Sequence, residues 1–323
     1  MQAIVMEEFG PPEVLVLRDV ADPGCAPGEV LIEVSFSSVT FVETQVRWGR
    51  APNPSMLPQL PAIPGNGVAG IVVAVGPGVG NEAVGTRAVS TTGGTGGYAG
   101  LVSVPADGLI PIPDELALAD AAALLADGRT AVGLLDRVAI EPGATVLVEA
   151  AAGGVGSLLV QLAKRAGAFV VAAAGGEHKL EVARSVGADV AVDYGHSRWT
   201  DQVAAAVNGG SVDVVFDGVG GSIGRDAFEL LRPGGRLCSF GMASGSFTAV
   251  SEQDLADRGV TQVRGAHPSP GELRRLTARA LADAAAGALR PVIGQQVPLA
   301  RARDAHRAIE DRATIGKTLM ASL

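Results

Sequence analysis

The chain is expected to be an α/β protein, with a doubly wound parallel sheet joined to a second, mostly β domain. Three observations predict this. Residues 145–174 read TVLVEAAAGGVGSLLVQLAKRAGAFVVAAA, a strand, a glycine turn, a helix and a strand in ~30 residues. From there to residue 264, apolar β-branched runs alternate with helical patterns, which calls for a parallel sheet covered on both faces. The first 120 residues instead show short strand patterns split by Pro, Gly and Asp, with little helical periodicity.

In chain order, strands are expected at 2–6, 14–20, 30–36, 68–75, 87–90 and 101–104. Residues 50–64 carry five prolines and must be mostly irregular. Residues 91–100, TTGGTGGYAG, form a glycine-rich loop in which Tyr98 either packs the turn or faces a cleft. An alanine-rich helix covers 118–138. Strands follow at 145–149, 169–174, 190–193, 212–217, 236–240 and 260–264, with helices at 179–186, 200–207 and 223–231. A further helix covers 270–289, and the tail returns to a strand, a helix over 301–310 and a last strand over 318–320.

The glycine turn carries the chemistry. Leu158, Leu159, Leu162 and Ala163 share one helical face, which fixes the helix on the sheet. Gly153 lets the backbone approach a pyrophosphate where a Cβ would collide, and Gly156 lets the helix pack closely on the strand. Gly154, Val155 and Gly156 then offer N–H groups and the positive end of a dipole to phosphates. Ala151 stands where this fingerprint usually has its first glycine. An ordinary strand-to-helix turn is the plainer reading, but the flanking strands and helix are those that nucleotide binding requires.

Composition narrows the partners. The net charge of −9 over 323 residues and a pI near 5.0 argue against nucleic acid and anionic membrane surfaces. Mean hydropathy is +0.31, yet no apolar run reaches the ~18 residues of a membrane span. The start MQAIVMEEFG lacks the basic and apolar blocks of a signal peptide, so a cytoplasmic protein is expected. Cys25 and Cys238 are the only cysteines, which leaves no disulfide framework and no cysteine zinc site.

Several motifs together resemble the medium-chain dehydrogenase/reductase superfamily, in its zinc-free quinone-oxidoreductase-like branch. They are Pro64-Gly65, Gly70-Ile71-Val72, Val75-Gly76, Gly128 with Thr130-Ala131, and residues 150–156. The series continues through Asp217-Gly218-Val219-Gly220-Gly221, Leu231-Arg232-Pro233-Gly234-Gly235, Phe240-Gly241, Ala305-His306 and Gly316-Lys317. The resemblance implies a Rossmann dinucleotide-binding domain over 123–265, with a broken GroES-like catalytic domain over 1–122 and 266–323 wrapped around it. It also implies an active site in the cleft between the two, a small-molecule substrate and a homodimer joined near residues 260–264.

Zinc-bearing relatives use a Cys, a His and an acid. Here Ser37-Ser38 hold the Cys position and the four His are scattered, so no metal is expected. NADPH is the expected cofactor, because residues 172–176 lack the acid that binds a ribose 2′-hydroxyl. The resemblance places Gly176, Lys179, Tyr194 and Lys317 near the 2′-phosphate. Glu177 opposes that phosphate, and a solvated helix-start lysine is the plainer reading of Lys179. Thr130, Val219, Phe240 and Gly241 are assigned to the nicotinamide side.

The reaction centre departs from the pattern. In residues 39–49, VTFVETQVRWG, relatives commonly have Asn at the place of Thr40, an acid near Glu43 and Tyr at the place of Gln45. Asn66, Gly67 and Gly100 also replace frequent family residues. Thr40 and Gln45, with Thr130, are the candidates to polarise a substrate carbonyl. Arg129 is read either as a substrate anchor or as an ion-pair partner of Asp127. The expected function is an NADPH-dependent, zinc-free reductase that transfers hydride to a quinone or an α,β-unsaturated carbonyl. A tailoring enoyl or polyketide reductase and a non-catalytic nicotinamide-binding protein stay open as alternatives.

Overall fold

The computed structural model describes residues 1–263 and 268–322. It contains two compact units, Met1–Arg129 with Leu273–Leu323, and Thr130–Glu272. In chain order the first unit runs β1 (Gln2–Val5), β2 (Val16–Asp19), β3 (Glu29–Val39), α1 (Phe41–Arg47), β4 (Gly67–Val75), β5 (Arg87–Thr91), β6 (Leu101–Pro105) and β7 (Ile110–Pro111). Helix α2 (Leu118–Val138) carries the chain into the second unit. There it forms β8 (Thr145–Glu149), α3 (Gly154–Arg165), β9 (Phe169–Ala174), α4 (Glu177–Ser185), β10 (Val190–Asp193), α5 (Trp199–Ala206), β11 (Val212–Asp217), α6 (Gly221–Glu229), β12 (Leu231–Ser239), α7 (Glu252–Arg258) and β13 (Thr261–Gln262). The return leg is α8 (Pro270–Ala285), β14 (Ile293–Pro298), α9 (Ala302–Glu310) and β15 (Lys317–Ala321).

The described strands of the second unit make a sheet of order β10-β9-β8-β11-β12-β13, with every pairing parallel. The order runs outward from β8 to β10 and then restarts on the other side of β8 with β11. That reversal is the switch point of a doubly wound fold, as expected. Buried apolar runs explain the sheet: Val146, Leu147 and Val148 in β8 and Val214, Val215 and Phe216 in β11 have no exposed surface. Helix α3 buries Leu158, Leu159, Leu162 and Ala163 on it, each leucine stabilising the unit by about 1.5–3 kcal/mol.

The first unit is mostly β, also as expected. Its larger sheet runs β14-β15-β3-β4-β5-β7, with β6 also on β3. β3 is the spine: β4 lies along one edge, while β6 pairs with its first residues and β15 with its last. Val30, Ile32, Val34, Val68, Val72, Val102 and Val104 form one core, and Ile4, Leu15, Val39, Tyr98, Leu299, Ala305 and Met320 contribute to another.

Four elements differ from the sequence reading. Helices α1 and α7 lie where no helix was expected, and both start with a capping box, Thr40 with Glu43 and Ser251 with Asp254. The helix expected over 270–289 ends at Ala285. The strand expected over 260–264 is the two-residue β13, and Arg264, at the expected dimer edge, lies outside the described residues.

Candidate active site

The start of α3 sits at the carboxyl end of β8, beside the switch point. Its N-cap is Gly153, no side chain caps it, and its first turn holds no acid. The first helical amides have no carbonyl within the helix to bind, so Gly154, Val155 and Gly156 present N–H groups at a positive helix end. A Cβ on Gly156 would stand 2.2 Å from the Ala150 carbonyl oxygen, so only glycine lets α3 pack here. On Gly153 the nearest such neighbour is 3.1 Å away, again Ala150 O. Packing therefore constrains Gly153 less strictly than Gly156, since a small backbone shift would relieve the 3.1 Å contact.

Apart from Thr130, which lies in α2, the other candidate cofactor residues of this unit also lie at carboxyl ends of parallel strands. Gly176, with φ +83°, starts α4 after β9 and donates its N–H to Asp193 Oδ2 at 3.0 Å. Lys179 is in the first turn of α4, and the Tyr194 ring lies over Gly175. Glu177, which would oppose a phosphate, is paired with Arg184 at 2.5 Å. Val219 follows β11, and Phe240 and Gly241 follow β12 with both amides on the Asp217 carbonyl. These groups suit a dinucleotide carrying an extra phosphate: backbone amides for the pyrophosphate and, at the β9 tip, a lysine two residues from Glu177, which Arg184 neutralises.

Two acids missed by the sequence reading lie beneath this rim. Asp217 is fully buried and accepts from Gly220 N, Ser239 Oγ and Thr248 Oγ1 at 2.7–2.8 Å. Glu149, also fully buried, accepts from Val219 N at 3.1 Å. Burial first, and then the Asp217 carboxylate, push the Glu149 pKa well above the usual carboxylate range. Its Oε1 lacks a partner as an anion, whereas a neutral Glu149 can donate toward Asp217. An acid ending an otherwise apolar strand was the available signal.

In the first unit, Thr40 is the N-cap of α1. Its hydroxyl donates to Glu43 Oε2 at 3.0 Å, and its own N–H reaches the same oxygen at 2.6 Å. Glu43 Oε1 accepts Asn66 N at 2.8 Å, and the Tyr98 hydroxyl lies close enough for this carboxylate to raise its pKa. Burial raises the Glu43 pKa, opposed by these donors and by the nearby Lys317 ammonium. Behind Tyr98 the string continues: the Tyr98 hydroxyl lies 3.0 Å from His306 Nε2, and Arg47 Nη1 donates to His306 Nδ1 at 3.4 Å. Arg47 also donates to Gly10 O and to Glu310, whose carboxylate accepts from Trp48 as well. Burial, reinforced by the Arg47 charge, pushes the His306 pKa down to about 3, so the ring is neutral. Since Arg47 can only donate, Nδ1 accepts, Nε2 carries the proton and Tyr98 points its hydrogen at Glu43. Tyr98 thus packs the turn, the plainer of its two readings.

Gln45 is half-buried, with its amide donating to Thr44 Oγ1 at 3.1 Å. The proposed pairing of Asp127 with Arg129 is corrected. Asp127 accepts from Lys317 Nζ at 3.0 Å, with only 4% of the Lys317 side chain exposed. An ammonium so held reaches a phosphate only by giving up Asp127. Arg129 makes no hydrogen bond or ion pair among the described residues, and its surroundings act on it only through burial and the Asp127 charge.

Among the described residues no three His, Cys, Asp or Glu converge as metal ligands, and the Ser37 hydroxyl is spent on Gly97 O. No helix of the described residues is long and apolar enough to cross a membrane.

Two family models match the chain, an alcohol dehydrogenase GroES-like domain over residues 26–114 and a zinc-binding dehydrogenase over 154–281. The chain is 32% identical over 330 residues to 2-haloacrylate reductase of a Burkholderia species, covering 99% of this chain and 98% of that one. Among solved structures it is similar to Escherichia coli quinone oxidoreductase complexed with NADPH, with a TM-score of 0.90 and 30% identity over 99% and 100% of the two chains. A mycobacterial protein complexed with NADPH, Rv1454c, gives 0.88 and 34% over 99% and 100%.

Proposed function

The chain belongs to the medium-chain dehydrogenase/reductase superfamily, in its quinone oxidoreductase-like branch, and on that premise we propose that it is an NADPH-dependent, zinc-free reductase of a quinone or an α,β-unsaturated carbonyl. The observation that carries this reading is the uncapped, acid-free start of α3 at the switch point of the parallel sheet. Bound NADPH supplies a hydride to an electrophilic carbon conjugated with a carbonyl.

The chain's own residues bind and orient. Gly153, Gly154, Val155 and Gly156 take the pyrophosphate through backbone N–H groups, and Lys179 takes the 2′-phosphate, with Glu177 neutralised by Arg184. Tyr194 and Gly176 shape the β9 tip, while Thr130, Val219, Phe240 and Gly241 hold the nicotinamide side. Thr40 and Gln45 are assigned to the substrate oxygen: the Gln45 amide has a second hydrogen for it, Thr40 donates only when its hydroxyl turns from Glu43, and water delivers the proton. Zinc-free chemistry is supported by the serines at residues 37 and 38 and the lack of converging ligands among the described residues. The protein is read as a cytoplasmic homodimer, which light scattering of the purified chain tests.

The function is tested by mixing the protein with NADPH and a panel of quinones, enones and enoyl thioesters and following absorbance at the cofactor band. Turnover of a quinone or enone supports the proposal, and preference for thioesters points to a tailoring reductase. NADPH that binds but is oxidised by no member of the panel leaves a non-catalytic binding protein.

A further inference from the structure

Helix α2 is packed from nearly all sides in its middle. Residues 121–125 and 131–134 include eight fully enclosed apolar side chains, and a Cβ on Gly128 would touch Ala280 of α8 at 2.9 Å. One face is half-open: Ala126, Asp127, Arg129 and Thr130 are each partly exposed. At 100° per residue these four fall on a single side of the helix. On that side Asp127 is already neutralised by Lys317.

Among the described residues Arg129 is left without an ion-pair partner. The contrast with Arg47 is direct: that side chain, 1% exposed, donates to Gly10, His306 and Glu310, whereas Arg129 has no hydrogen bond or ion pair among the described residues. Burial disfavours its charge and only Asp127, committed elsewhere, favours it. A guanidinium half-enclosed on this face and unpaired among the described residues is arranged for an anion from outside. A planar fork of donors matches a carboxylate in a bidentate fashion. Neutral quinones and enones offer it no charge.

We propose that Arg129 anchors a carboxylate of the substrate, so that this chain prefers α,β-unsaturated acids over neutral conjugated carbonyls. The inference rests on the reductase reading and specifies its substrate class. The balance is complete with NADPH and water. The β carbon of the acid accepts the hydride as NADPH becomes NADP+, and the π pair moves onto the carboxylate as an enediolate. Water then protonates the α carbon and leaves hydroxide. Negative charge grows on the carboxylate oxygens during that step, so a fixed guanidinium there stabilises the transition state more than the bound acid.

The test compares 2-chloroacrylate with its uncharged amide as substrates of the wild type, Arg129→Gln and Arg129→Lys. The ratio of kcat/KM for acid over amide is expected to fall at least ~30-fold in the glutamine variant and to recover partly with lysine. Calorimetric titration of 2-chloropropanoate into the NADP+-loaded proteins gives a second readout, with heat expected for the wild type and none for Arg129→Gln. An unchanged ratio, or equal binding of the propanoate to both proteins, overturns the inference. So does a variant whose NADPH affinity drops tenfold while the ratio stays, because the anion held would then be a cofactor phosphate. A wild type that reduces enones or quinones but not the acid refutes the anchor and leaves the reductase reading standing. A wild type that reduces nothing refutes the reductase reading, and the propanoate titration still decides whether Arg129 binds a carboxylate.

Discussion

Two helix starts in this chain are built in opposite ways. At α1 the protein closes the end with its own side chains: Thr40 and Glu43 form a capping box, and Glu43 also collects Asn66 N. At α3 a glycine N-cap leaves the end without a side-chain cap. The closed end spends its polar groups on stability, and the open end keeps them for a ligand. What marks the α3 start is the combination of an open end, an acid-free first turn and a place at the switch point, since α5 and α9 also begin without a side-chain cap.

The largest effect that could break the comparison is at Glu43. Glu43→Ala strands Thr40 N and Asn66 N, takes the acceptor from the Thr40 hydroxyl, and is expected to cost about 4 kcal/mol in urea unfolding. A loss below about 1 kcal/mol would mean that α1 is not held from within. Next, Gly156→Ala drives a Cβ into the Ala150 carbonyl and is expected to cost about 3 kcal/mol. Gly153→Ala meets the same carbonyl at a milder 3.1 Å; it should leave stability within about 1 kcal/mol of wild type and weaken NADPH roughly tenfold by fluorescence titration. If Gly153→Ala binds NADPH as wild type does, the α3 start is not the phosphate cradle.

A pH experiment sharpens the closed side. The folded His306 pKa is about 3, below its unfolded value, so the unfolded chain takes up the proton first as pH falls. The stability this histidine contributes is complete above about pH 6.5 and declines toward pH 3. Between pH 7 and pH 5, His306→Gln should lose about 2 kcal/mol less than wild type in denaturant titrations. Parallel losses would show that the ring is not buried neutral. The smallest effect is at the β9 tip, where Lys179→Ala should weaken NADPH by about 1 kcal/mol and leave NADH unchanged. Equal weakening of both would remove Lys179 from the 2′-phosphate.

The second unit was legible because its signals are local. β-branched runs such as residues 145–149 and the face of Leu158, Leu159 and Leu162 lie within a few residues of one another. Helix α1 was missed although its signal, Thr-x-x-Glu at residues 40–43, is in the sequence, because seven residues give too few turns for periodicity to register. The side-chain partnerships behind it had no local signal at all. Arg47 meets His306 across 259 positions. Asp127 takes Lys317 at a separation of 190 instead of the neighbouring Arg129, and distance along the chain says nothing of such pairs.

The string from Arg47 to Glu43 has a consequence for Thr40. A guanidinium has hydrogens to give and no lone pair, so the orientation of every hydroxyl and ring proton down to Glu43 is set at one end. When Glu43 takes up a proton in acid, Tyr98 cannot turn round, and the amides of Thr40 and Asn66 are fixed in the backbone. The Thr40 hydroxyl is the rotor with freedom to swing away, so acidification releases one hydrogen at the mouth of α1, a valve worked from the far side of the unit.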